Sequence, residues 1–264
     1  MRKNTLKEIW ASGGAVINGW CSIPSSFSAE IMAHQGFDSI TIDMQHGLVD
    51  YQVAVTMLQA ISTTSVIPLT RIPWSDPARV MKVLDAGSYG VICPMITDAE
   101  EAEALVAAAK YPPRGFRSFG PIRAKYYGGG AIHGGGDYHE FADEETLVIP
   151  QIETAKAIRN LDSILDVPGI GAIYVGPSDL SMALGKEPRK GQRDPEVLEA
   201  METILSAARR HGVPAGIHTN SVDVAVEMIG RGFQLVSLQS DDRFLMARAK
   251  EEVDAVRGGL TTAD

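Results

Sequence analysis

The chain has 264 residues, 45% of them apolar and 22% charged, a balance that excludes disordered and fibrous classes and supplies enough apolar side chains for a full core. Its formal charge of −9 argues against nucleic acid or an anionic membrane surface as a partner, because both need clustered Lys and Arg. Cys21 and Cys93 are too few for a disulfide framework and suit a reducing cytoplasm.

Short β-branched runs alternate with longer amphipathic runs that open on a capping residue and close on glycine. Thr5 and Glu8 form a capping box for a first helix ending at Gly13-Gly14, and 15–20 reads as the first strand. Residues 9–29 are uncharged, but Gly13, Gly14, Asn18, Gly19 and Pro24 rule out the ~20-residue apolar helix that a bilayer needs. A helix from about 26 to 35 stops at Gly36, before a second strand at 37–42. A helix over 51–61 precedes a strand at 66–71. Ser75-Asp76-Pro77 opens the next helix, Gly87 ends it, and 90–93 is the fourth strand. Thr97 and Glu100 make a capping box for a helix running to about Lys110.

From 111 to 145 the rhythm fails. This stretch carries Arg114, Arg117, Arg123, Lys125, His133 and His139 among two glycine triplets, and reads as a long loop forming a lid over substrate. The pattern resumes with a strand at 146–151, then helix 154–165 with strand 171–175, helix 195–210 with strand 215–219, and helix 221–230 with strand 233–238. A last helix covers about 241–256. Eight strands alternating strictly with helices predict an α/β fold, a (β/α)8 TIM barrel. Residues 1–264 are expected to form one domain, with a Gly-rich insertion at 111–145 and an extra C-terminal helix. The absence of Gly-x-Gly-x-x-Gly after the first strand argues against an open dinucleotide-binding sheet.

Chemistry in such a barrel sits at the C-terminal strand ends. Those ends hold Asp43-Met44-Gln45-His46-Gly47, Arg71, Gln151-Ile152-Glu153, Gly176-Pro177-Ser178-Asp179, His218-Thr219 and Gln239. Glu153 and Asp179 end neighbouring strands, and two carboxylates without thiolates suit a hard cation such as Mg²⁺ or Mn²⁺. Read singly, Glu153 is a favourable helix N-terminal acid and Asp179 a helix cap. His46 can move a proton near neutrality, and Arg71 offers a fixed fork of donors to a carboxylate or a developing oxyanion. His218 is a candidate pocket residue, whereas His34 and His211, near helix ends, read as structural. No lysine ends a strand, which argues against Schiff-base chemistry.

The motifs Phe37-Asp38-Ser39-Ile40-Thr41-Ile42-Asp43-Met44-Gln45-His46-Gly47, Pro68-Leu69-Thr70-Arg71-Ile72-Pro73, Leu84-Asp85-Ala86-Gly87, Gln151-Ile152-Glu153-Thr154 and Tyr174-Val175-Gly176-Pro177-Ser178-Asp179-Leu180 resemble those of the HpcH/HpaI aldolase family. That family comprises metal-dependent class II pyruvate aldolases, and the resemblance runs over roughly residues 5–255. It implies a homohexamer, a trimer of dimers that exchange their final helix. It also implies a divalent metal ion (Mg²⁺, Mn²⁺ or Co²⁺) held by Glu153 and Asp179. His46 would be the base, Arg71 would stabilise the transition state, and Arg71, Gln151, Gly176, Pro177, Ser178 and Asp179 would contact substrate. Asp85 matches an acidic residue that raises the basicity of the histidine. Lying near a helix end, away from the active face of its own barrel, it is expected to serve a neighbouring subunit. Met44-Gln45-His46 departs from the Gly-Glu-His of many members.

The implied reaction is reversible aldol cleavage of a 4-hydroxy-2-oxo acid to a pyruvate-type enolate and an aldehyde. His46 would take the 4-hydroxyl proton while the metal and Arg71 hold charge on the 2-oxo oxygen. Malyl- or citramalyl-CoA lyase and oxaloacetate decarboxylase share this barrel and enolate, and stand as alternatives. A non-catalytic keto-acid-binding barrel is a more distant one. Arg114, Arg117, Arg123 and Lys125 form either a solvated loop or a site for a second substrate carboxylate.

Overall fold

The computed structural model describes residues 3–128, 138–188 and 193–261; His133 and the rest of 129–137 lie outside them. Strands β1 (Val16–Cys21), β2 (Ser39–Asp43), β3 (Ile67–Arg71), β4 (Gly90–Cys93), β5 (Leu147–Ile152), β6 (Ile173–Val175), β7 (Ala215–His218) and β8 (Leu235–Ser240) pair in chain order, all parallel. β8 returns to pair with β1, so the sheet closes into a barrel, as the alternation predicts. The helices are α1 (Thr5–Ala11), α2 (Ser26–Ala33), α3 (Tyr51–Ile61), α4 (Pro77–Asp85), α5 (Ala99–Ala109), α6 (Tyr138–Glu145), α7 (Ala155–Arg159), α8 (Leu161–Leu165), α9 (Pro177–Ala183), α10 (Pro195–Arg210), α11 (Val222–Arg231) and α12 (Asp241–Thr261).

Side chains alternate across each strand, and the alternation decides what reaches the site. Ile40, Ile42, Val91, Val148, Val175, Ile217 and Val236 belong to the large core between strands and helices. Leu69, Ile92, Leu147, Ile149, Tyr174 and Leu235 pack together inside the barrel, with Leu6 of α1 plugging its N-terminal end. Each fully buried Leu or Ile contributes about 2 kcal/mol. The same inward parity carries the chain from Leu69 to Arg71, from Ile149 to Gln151 and Glu153, and from Tyr174 to Gly176. The lower barrel is therefore apolar and its mouth polar.

Local details differ from the sequence reading by a residue or two. Asn4, not Thr5, caps α1 by accepting from the Leu6 N–H. Asp98, not Thr97, caps α5 by accepting from the Glu101 N–H, while the Glu101 carboxylate reaches back to Thr97. The helix expected over 154–165 breaks at Asn160, whose side chain donates to the Thr97 carbonyl at 2.9 Å.

The larger correction concerns 111–145. Its described part is not a lid over the mouth but a belt beneath the N-terminal face. Arg123 donates to the Ala86 carbonyl, and to the Leu58 carbonyl and Ser62 Oγ at 3.2 Å each, so it lies against the C-terminal ends of α4 and α3. Lys110 Nζ donates to the Thr146 carbonyl at 3.0 Å, where β5 begins. The reason is topological: the segment follows α5, and a helix in this fold returns the chain to the face where strands start. The stretch also contains α6, whose apolar positions are too few to show a helical period. Helix α12 leaves Leu245, Val253, Val256 and Leu260 exposed. Among the described residues no helix is long and apolar enough to cross a membrane.

Candidate active site

A cleft of about 840 Å³ opens at the C-terminal ends of the strands, lined by Trp20, Asp43, His46, Arg71, Ser178 and His218 among others. At its floor, the register of β2 and β3 pairs the last residue of each, Asp43 with Arg71. Their side chains form a bidentate ion pair: Arg71 Nε donates to Asp43 Oδ1 at 2.9 Å and its terminal nitrogen to Oδ2 at 2.6 Å. Such fork-to-fork pairing fixes the guanidinium plane. The plane is also stacked on the Trp20 ring, 4.7 Å from its centroid.

Asp43 is buried and carries further bonds, accepting from Trp20 Nε1 at 3.2 Å and from the Gln45 and His46 backbone N–H groups at 3.0 and 3.3 Å. Burial alone would raise its carboxyl, but the bonds and charge of Arg71, with Trp20 and the His46 N–H, outweigh it and hold the group below the usual carboxylate range. One carboxylate thus anchors Arg71 and shapes the turn that carries His46, whose side chain is exposed at the cleft. Gly47 closes that turn; a Cβ there would collide with the Asp43 carbonyl and stand 3.1 Å from Ser22 Cα.

Beside this pair, Glu153 is buried, accepting from the Met95 N–H at 2.9 Å and from the Gln151 side-chain amide. Burial pushes its carboxyl up, and the charge of Asp179 adds to the rise against the pull of those hydrogen bonds. Gln151 Oε1 is buried with no hydrogen-bond partner. A Cβ on Gly176 would stand 2.6 Å from Gln151 Nε2 and closer still to Glu153, so only glycine leaves this space open. Pro177 opens α9, and Ser178 and Asp179 follow, both exposed. Asp179 is not the helix cap, since Gly176 occupies that position without a side-chain bond.

Among the described residues no three His, Cys, Asp or Glu side chains gather as a metal cluster. The donors present are two electrostatically coupled carboxylates and an orphaned amide oxygen, in a space that a side chain would fill. That set fits a hard, oxygen-preferring divalent cation that keeps several positions for water and substrate.

Asp85 lies elsewhere. It ends α4 at the opposite face and accepts from Arg117 at 2.7 Å. Arg114 pairs with Glu144, and Arg123 is taken up by backbone carbonyls, so this basic cluster does not line the cleft of its own barrel. His34 and His211 occupy C-cap positions of α2 and α10. Sequence reasoning gave no role to Asp43, Trp20 or Tyr174. The signal was available: each shares the inward parity of its strand, and Asp43 stands level with Arg71 once both strands are aligned by their ends.

The fold and its mouth are those of a TIM-barrel enzyme with a fixed arginine near a pair of carboxylates. The chain belongs to the HpcH/HpaI aldolase/citrate lyase family, whose profile matches residues 20–247. It is 35% identical over 254 residues to the hydroxypyruvate/pyruvate aldolase of Rhizorhabdus wittichii, covering 96% of this chain and 99% of that one. It is 34% identical over 261 residues to the 4-hydroxy-2-oxo-heptane-1,7-dioate aldolase of Escherichia coli, covering 99% and 97%. The crystal structure of an HpcH/HpaI aldolase/citrate lyase family protein from Burkholderia cenocepacia J2315 superposes with a TM-score of 0.88 at 28% identity, covering 97% of this chain and all of the other.

Proposed function

We propose that the cleft catalyses reversible aldol cleavage of 4-hydroxy-2-oxo acids, releasing a pyruvate-type 2-oxo acid and an aldehyde. The observation that carries this reading is a cleft lined by a fixed guanidinium and an imidazole, with Glu153 near enough to feel the charges of both Asp179 and Arg71. The aldolase names of the relatives support it.

Arg71 is oriented before substrate arrives, so its remaining N–H donors meet the charge that grows on the 2-oxo oxygen without reorganisation. His46, on its exposed turn, takes the 4-hydroxyl proton as the C3–C4 bond breaks; the bond's electron pair passes through C3–C2 to the 2-oxo oxygen. Protonation at C3 then gives the 2-oxo acid. Glu153 and Asp179 would hold Mg²⁺, Mn²⁺ or Co²⁺, with Gln151 beside them, and the bound cation would supply Lewis-acid polarisation of the 2-oxo group. Gly176, Pro177 and Ser178 would bind the substrate carboxylate, with Gly176 leaving room and Ser178 offering its hydroxyl.

Asp85 would act in the site of a neighbouring subunit of a homohexamer. Its place opposite its own cleft and the exposed apolar residues of α12 support that arrangement. The test is a panel of 4-hydroxy-2-oxo acids and oxaloacetate, assayed with and without chelator. Aldol cleavage that EDTA abolishes and Mg²⁺, Mn²⁺ or Co²⁺ restores is expected. Cleavage that survives EDTA and is trapped by borohydride with pyruvate overturns the reading, and turnover of oxaloacetate alone replaces it with a decarboxylase.

A further inference from the structure

We infer that a cavity at the N-terminal face, on the far side of the barrel from the cleft, is a second binding site, for a small carboxylate with a short apolar body. The cavity measures about 550 Å³ and lies among the end of α5, α6, the start of β5 and the turn before β6. Its charged lining is Lys7, Lys110, Arg114, Asp143 and Glu144.

Two polar groups there lack what burial demands. Lys110 is buried, yet among the described residues no carboxylate stands at ion-pairing distance from it. Its Nζ donates to the carbonyls of Asp143 and Thr146, which take two of its three N–H groups and leave the third. A buried ammonium is ordinarily matched by an anion, because carbonyl dipoles repay only part of the hydration it gives up. The second group is the Thr146 hydroxyl, buried with no hydrogen-bond partner. Leu147 faces the barrel interior and Val148 the helix layer, so Thr146 shares the parity of Val148 and turns toward the layer that holds the cavity. One carboxylate supplies both the counter-charge and the acceptor.

The acids of the lining are engaged elsewhere. The Glu144 carboxylate pairs with Arg114, and Asp143 Oδ1 accepts from the Tyr111 N–H at 3.0 Å. Three cations against two anions leave the lining one positive charge in excess, which a single carboxylate neutralises. Val106, Pro168 and Ile170 offer apolar surface to the body of the ligand. Gly169 has φ 100°, and a Cβ there would stand 2.8 Å from Val106 Cγ1, so bare backbone forms that wall. Burial lowers Lys110 to about 8; Lys7 and Arg114 push the same way, and Asp143 and Glu144 oppose them. An anion beside the amine raises it again, so binding above about pH 8 takes up a proton.

The test is isothermal titration of the full chain with butyrate, its neutral counterpart butyramide and inorganic phosphate, in the wild type and Thr146→Val. Valine keeps the shape of threonine, and the hydroxyl it removes has no partner, so thermal stability and activity at the cleft should stay unchanged. Butyrate is expected to bind the wild type with Kd below about 10 mM, and butyramide at least about tenfold more weakly. Thr146→Val should weaken butyrate about tenfold, because a hydrogen bond to a charged group is lost. Titrations in two buffers of different ionisation heat should show proton uptake at about pH 8.5 and none at about pH 6.5, a signature that a purely structural Lys110 would not give. No butyrate binding, binding equal in the two proteins, or an absence of proton uptake at the higher pH overturns the inference. Phosphate bound more tightly than butyrate overturns the carboxylate assignment.

Discussion

Two arginine–aspartate pairs stand at opposite faces of the barrel, and they are built alike. Arg71 pairs with Asp43 and stacks on Trp20; Arg117 pairs with Asp85 and stacks on Tyr111, each guanidinium 4.7 Å from its ring. What separates them is access. Arg71 keeps 13% of its side chain exposed, opening on the cleft, and both its donors to Asp43 are satisfied in bidentate fashion. The Arg117 side chain is wholly enclosed between Tyr111 and Tyr138, makes a single bond to Asp85, and leaves Nε and a terminal nitrogen buried without partners. The same chemistry thus stands open to the cleft at one face and is enclosed as a structural rivet at the other, holding the described part of the 111–145 belt to α4. Ion pairing does not by itself mark a site; an open donor edge does.

The largest effect expected from this contrast is on activity at the mouth. Arg71→Lys removes the bidentate fork and should lower kcat/KM about 10²- to 10³-fold in steady-state aldol assays, and a loss under threefold would show that the clamp is not used in the transition state. Asp43→Asn should follow it in activity and also cost about 3 kcal/mol in urea unfolding, because a buried guanidinium loses its counter-charge. At the other face Arg117→Met should cost roughly 2 to 3 kcal/mol by the same measure and open the belt to protease nicking between 111 and 145. Unchanged stability and an unchanged digestion pattern would dissolve the rivet.

The smallest effect is a pH dependence at the mouth. An unfolded imidazole binds its proton below about 6.5, whereas folded His218 does so only near about 4. Between those values the unfolded state holds more protons, so stability falls as pH falls through the window, by roughly 1 to 2 kcal/mol from pH 7 to pH 5. The buried Glu153, whose carboxyl is raised, acts in the opposite sense as it takes up its proton, so the comparison to make is wild type against His218→Phe at both pH values. A wild-type protein no more acid-sensitive than the variant would place His218 in a wetter setting than its contacts imply.

Much of the architecture was legible in the chain itself. Helices over 51–61 and 195–210 and the strand at 90–93 match α3, α10 and β4, because capping aspartates and β-branched runs act over a few residues. The strand-end rule likewise brought His46, Arg71, Gln151, Glu153, Ser178 and Asp179 into view. Asp43 was quoted within its motif yet assigned nothing, because its importance lies in the register of β2 against β3. The described part of 111–145 departs from the expected lid for a similar reason: an arginine-bearing irregular run looks like a lid, and only the direction of α5 decides which face it reaches.

Length, composition and charge excluded whole classes of function, and local pattern then determined a closed alternating barrel and the family to which the chain belongs. Tertiary structure decided which arginine opens on the cleft and which carboxylate anchors it. Local propensity is written in neighbouring residues, whereas burial, register and hydrogen-bond partnership arise between residues far apart in the chain, such as Asn18 and Ser237, and exist only once the barrel has closed.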